Sequence, residues 1–260
     1  MYKFRVLEAY YDVDIVLIYP DFMRESYHCR EHVIVHYNRE PNVYLFDIVD
    51  RKDIQINGKA PEERMDQMMI ELGDALYSFS LRINPDGELL KVYSFGEIQD
   101  RWFKKAKELL NKNETAPFKK YLQISQRNMK TEETFRETLL KNSFFKFYFL
   151  PDNAESFLHE VHHFPQRSDT TLFLFESSKG GIIESENLSF TAKTVFPEEK
   201  AASGKLNRQF TELGDLDVLR AEMNWENEEG MPYQKTITIR VDETKRDILK
   251  ANKFWSFILD

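Results

Sequence analysis

Apolar residues recur at every second position in both ends of this sequence and at helical spacing in its middle. A strand period cannot be packed as a helix, nor the reverse, so the chain must build two strand-rich parts around a helical one. In MYKFRVLEAYY, Tyr2, Phe4 and Val6 alternate with Lys3 and Arg5, and VDIVLIYP, HVIVHYN and NVYLFDIV are short β-branched or aromatic runs between polar turns. They predict an antiparallel meander over the first 56 residues. PEERMDQMMIELG then reads as a helix, with Pro61 suited to its first turn, Met65, Met68, Met69 and Leu72 at helical spacing, and Gly73 as its stop. ALYSFSLRINPDGELLKVYSF alternates Phe79, Leu81 and Ile83 with Ser78, Ser80 and Arg82 and turns at NPDG, which predicts a hairpin.

Residues 97 to 163 read as mainly helical. EIQDRWFKKAKELLNKN places Ile98, Trp102, Ala106 and Leu109 on one stripe, and TEETFRETLLKN places Phe135 and Leu139 one turn apart. SFFKFYFLP fits either the end of a helix or a buried strand before Pro151. From Thr170 the period of two returns in TLFLFESSKGGIIESENLSFTAKTVF, a polar loop runs through KAASGK, and VLRAEMNWENEEGMPYQKTITIRV gives two clean strands. ELGD occurs at 71 to 74 and again at 212 to 215, each time before a strand, a turn and a strand, so a duplication stands beside the common use of glycine as a helix stop.

The sum is a single α+β domain over residues 1–260, with a β-rich first half (1–96), a helical insertion (97–163) and a β-rich second half (164–260). Its expected form is a curved antiparallel sheet with the helical middle region covering one face. In that order of elements the chain resembles the half-barrel folds of bacterial lipoprotein carriers and related lipid-binding proteins. The resemblance extends over most of the chain and rests on no motif, so it implies a half-barrel-like fold and transfers no functional residue.

With 42% hydrophobic and 31% charged residues the chain should bury a core. Its 21 Phe and 12 Tyr exceed what a minimal core needs and point to broad packed surfaces or a lined cavity. A net charge of −8 argues against general nucleic-acid binding, although residues 97 to 148 hold 12 Lys or Arg against 7 Asp or Glu. Within that basic middle, Arg101, Lys104, Lys105, Lys119 and Lys120 interleave with Trp102, Phe103, Phe118 and Tyr121 and form a candidate interaction surface. The single cysteine, Cys29, excludes an internal disulfide and fits a reducing compartment, so a cytoplasmic setting is expected unless a leader peptide has been removed. No apolar run is long enough for a transmembrane helix.

One short pattern names a chemistry. HEVHH, residues 159 to 163, matches HExxH, in which two imidazoles one helical turn apart hold zinc and the glutamate activates water. A helix over 153 to 163, capped by Asp152 and Glu155, would put His159 and His163 on one face as metal ligands, with Glu160 as general base. Against this, Pro165 ends such a helix at the second histidine, and Glu176, Glu184 and Glu186 are third-ligand candidates only because they lie downstream. His28, Cys29, His32 and His36 form a second cluster, on a stretch that favours a strand. The sequence therefore favours a non-enzymatic binding or interaction protein with a protein partner, of the kind an immunity or accessory factor of a bacterial antagonism system would be. Its alternatives are a carrier of an apolar ligand held among residues such as Phe79, Met68, Trp102 and Trp225, and an HExxH zinc hydrolase.

Overall fold

The computed structural model describes residues 4–38, 43–112, 115–150, 155–162, 170–177, 187–196, 202–210, 216–226, 229–242 and 247–249. Three long strands open the chain, β1 (Phe4–Ile18), β2 (Arg24–Asn38) and β3 (Val43–Ile56), and they pair as the expected meander. Helix α1 (Arg64–Asp74) leads to the hairpin β4 (Phe79–Ile83) and β5 (Leu89–Val92). Four helices follow: α2 (Phe95–Lys112), α3 (Ala116–Asn128), α4 (Glu132–Lys141) and α5 (Ser143–Tyr148). The second half supplies β6 (Ser156–His162), β7 (Thr170–Ser177), β8 (Asn187–Phe196), β9 (Ser203–Phe210), β10 (Leu216–Glu226), β11 (Pro232–Val241) and the short β12 (Asp247–Leu249).

Eleven of these strands make one open antiparallel sheet in the order β5-β4-β3-β2-β1-β11-β10-β9-β8-β7-β6, while β12 pairs with β1 beyond the end of β11. The chain is thus α+β with a curved, unclosed sheet and a helical layer, as its two periods require. The β5 edge is not left bare. Arg136 of α4 donates to the Leu89 and Leu90 carbonyls at 3.2 and 2.8 Å, and Glu132 accepts from the Val92 N–H at 2.9 Å, so side chains occupy groups that would otherwise invite another strand.

The first six residues of SFFKFYFLP form α5, whose Asn142 cap accepts from the Phe144 N–H. Phe144, Phe145 and Phe147 are all buried there, each burial contributing about 1.5–3 kcal/mol. Their rings reach strands far apart in the sheet order: Phe144 and Tyr148 meet Tyr11 of β1, Phe145 meets Phe79 of β4, and Phe147 meets Phe157 and His159 of β6. One short helix can touch both β4 and β6 because the sheet curls round it.

Four expectations need correction. The helical middle ends at Tyr148, and the stretch expected as a helix over 153 to 163 contains the strand β6. In SFLHEVH, Val161 and His159 are buried while Glu160 and Leu158 are exposed, a period of two that gains a full ladder against TTLFLFE. KAASGK is not all loop, because Ser203 opens β9. Gly73 does not follow α1 as its stop but is its last residue but one, where a Cβ would lie 2.7 Å from Arg51 Nη2. The second ELGD segment lies outside the described residues.

Candidate functional site

On β2 the odd-numbered residues face the helices, and this buries Cys29, Glu31 and Val33. A carboxylate at 1% exposure needs a reason. Its neighbour across the ladder is Arg51 of β3, and the register shift between His32 and Val33 is what brings that side chain to the same face. The Tyr77 hydroxyl donates to Glu31, 3.3 and 3.2 Å from its two oxygens, and the Arg51 guanidinium lies over the Tyr77 ring at 5.5 Å. Arg51 also abuts Gly73 at the carbonyl end of α1, a position that suits a cation.

Burial pushes the Glu31 carboxyl up to about 7, against the opposing pull of Arg51 and the Tyr77 hydrogen bond. Burial likewise raises the Cys29 thiol to about 12, with the Glu31 charge adding to it, which removes Cys29 as a thiolate nucleophile at neutral pH. Arg51, Tyr27 and Tyr77 form one wall of a 390 Å3 cavity between the sheet and the helices. The rest of its lining is mainly apolar, including Met69 and Ile70 of α1, Phe79 of β4, Leu139 of α4 and Phe145 of α5. On the far side of α5, a separate 140 Å3 cavity is lined by Tyr11, Phe46, Phe149 and Arg208.

The sequence-predicted residues are distributed differently. His159 is buried against Phe147, with ring centroids 4.9 Å apart, and Glu160 is exposed on the opposite face of β6. His163 lies outside the described residues. His28, His32 and His36 all sit on the face of β2 opposite Cys29, each with its own carboxylate: Asp14 at 2.9 Å, Glu8 at 2.8 Å and Asp47 at 3.0 Å. Four strand residues span roughly 13 Å, too far for a shared ion. Among the described residues no three His, Cys, Asp or Glu side chains are grouped to hold a metal.

The basic candidates lie on α2 and α3. Arg101 donates to the carbonyls of Ala75, Leu76 and Ser78 at 3.3, 3.0 and 2.8 Å, so it holds the segment that carries Tyr77. Lys105 faces Glu71 and Glu108 at 3.9 and 3.6 Å, while Lys104, Lys119 and Lys120 are exposed. Of the four residues proposed to line a ligand space, only Phe79 does so here; Met68 and Trp102 are packed in the core, and Trp225 borders a groove with Tyr19 and Tyr233.

A further cation lies on the inner face of β11, where Lys235 has no hydrogen-bond or ion-pair partner among the described residues and burial pulls its ammonium down to about 8. Lys235→Met should therefore raise stability by about 2–3 kcal/mol at neutral pH. Below pH 8 both the folded and unfolded wild-type chains hold this proton and the burial cost is complete. As pH rises from 8 toward the ordinary value of 10.5 the folded chain is already neutral there, so the variant's advantage closes. Urea unfolding of both proteins across that range measures it.

The fold and the cavity define a class, an open antiparallel sheet with a partly polar, solvent-open space beneath its helices. No known protein family matches the sequence, and no curated protein matches it. Among solved structures the chain is similar to one described as "Lipid-protein interactions in lipovitellin", at 9% identity and a TM-score of 0.45. The match covers 96% of this chain and 26% of that one, so this chain spans about a quarter of its length. The likeness is one of coarse fold. Among the described residues no helix is long and apolar enough to cross a membrane.

Proposed function

We propose that this protein is a non-catalytic binding protein that holds an apolar small molecule between its sheet and its helices. The observation that carries the reading is the 390 Å3 cavity, lined mainly by apolar side chains and bearing one guanidinium. Its size falls in the range of small-molecule sites, roughly 300–1,000 Å3, and Arg51, Tyr27 and Tyr77 give one of its walls a polar character. Burial keeps the nearby Cys29 thiol protonated at neutral pH, and the wall groups Arg51, Tyr27 and Tyr77 hold and orient rather than react.

Titration with 1-decanol and decanoate tests the reading. Saturable binding of at least one of them, with one site per chain, is expected, and Ile70→Trp, which fills the cavity from α1, should abolish it while leaving the thermal midpoint near that of the wild type. If neither compound binds saturably, or if the tryptophan variant binds as the wild type does, the cavity is not a ligand site.

A further inference from the structure

The charges on the cavity wall say more about the ligand, on the reading that the cavity is a ligand site. Arg51 and Glu31 are ladder neighbours, yet the carboxylate nearest to Arg51 is Asp74, 3.9 Å from Nη2, and the covered Nε of Arg51 has no hydrogen-bond partner among the described residues. Glu31 is held instead by Tyr77, and it is Arg51 and Tyr77, not Glu31, that line the cavity. The fold presents a cation with unused donors and keeps its acid behind it. A planar guanidinium in that state matches a carboxylate's two oxygens.

We infer that the ligand carries a carboxylate head, that the head seats on Arg51 and Tyr77, and that Glu31 takes up one proton as it does so. The groups facing Glu31 set the charge balance. Its own strand brings Tyr27 and Cys29, which burial keeps neutral. From β1 comes Tyr11, from β3 Arg51 and Asp50, from the end of α1 Asp74, and from the segment after it Tyr77. Arg51 is the one cation in that set, so a second anion beside it opposes the charge on Glu31. Burial already brings Glu31 to the edge of protonation near neutrality. Once protonated, Glu31 donates to the Tyr77 oxygen, and the Tyr77 hydrogen is free to turn toward the head. Asp66, which also lines the cavity, is seven residues from Gly73 along α1, about 10 Å at helical rise, and does not compete for Arg51.

Calorimetric titration of the full chain with decanoate, 1-decanol and decyl phosphate, at about pH 8 in two buffers of different ionisation enthalpy, reads affinity and proton uptake together. Decanoate should bind at least about tenfold more tightly than 1-decanol. Uptake should approach one proton per bound decanoate. Glu31→Gln should lose the uptake and bind decanoate about tenfold more tightly near pH 8, because no acid titrating near 7 has to be protonated there, and Arg51→Met should bring decanoate down to the affinity of the alcohol. Equal affinity of the wild-type protein for decanoate and 1-decanol overturns the inference and leaves the cavity reading standing. Uptake that persists in Glu31→Gln, or no uptake in the wild type, overturns the role of Glu31, and tighter binding of decyl phosphate than of decanoate overturns the carboxylate head. The order of affinities is read from the wild-type protein alone, so it holds whether or not a variant folds.

Discussion

Replacing Phe147 with alanine should lower the unfolding free energy by about 3–5 kcal/mol, while Leu158→Ala on the adjacent strand should cost less than about 1 kcal/mol. Phe147 is 0% exposed and meets Phe157 and His159 of β6, whereas Leu158 points outward at 47% exposure. The cost is high at Phe147 because its ring joins the last strand of the sheet to the helix that β1, β3 and β4 also grip, through Tyr11, Phe46 and Phe79. The cavity left behind cannot collapse without moving one of those walls. A second effect should accompany the first. Among the described residues β6 pairs only with β7, so without Phe147 its amides should exchange with solvent well before the sheet unfolds globally. Urea unfolding gives the energies and amide exchange gives the order of opening. Equal losses for the two alanine variants would mean that β6 does not dock by its Phe157, His159 and Val161 face.

That alternation also marks where the sequence was legible and where it was not. The meander, the NPDG hairpin, α1 and the stripe of α2 carry strong periods and appear as expected. β6 was hidden by the spacing of HEVHH, since two histidines four apart suit one helical face as well as one side of a strand. β9 was hidden because its inward positions are Gly204, Leu206 and Arg208, of which only Leu206 announces a core. Gly204 is needed there, because a Cβ would stand 2.8 Å from the Ala192 Cβ. Half of the candidate site was readable: Glu31 shares parity with Cys29 and Val33, which marks it as an inward acid. Its partner was not. Phe46 and Ile48 set an even-numbered inner face on β3, and only the register shift turns the odd-numbered Arg51 inward.

Glu31 should also leave a clear trace in stability against pH. Its folded carboxyl titrates near 7 and its ordinary value is 4.5, so between those values the folded chain keeps a proton that the unfolded chain releases. Stability therefore falls as pH rises through that window, by about 3 kcal/mol from this group, and is flat in Glu31 below 4.5, where both states are protonated. Glu31→Gln keeps an acceptor for Tyr77 and removes the titration, so its stability relative to wild type should climb by about that amount from acid to neutral pH. Asp74, whose carboxyl burial also raises, adds a slope of the same sign, but it remains in both proteins and cancels in the difference. Chemical unfolding of the two proteins at intervals across the window measures the difference directly. A constant difference would mean that Arg51 outweighs burial and keeps Glu31 ionised throughout. In that case Glu31 would not stand at the edge of protonation near neutrality, and the proton uptake expected on decanoate binding would fail with it.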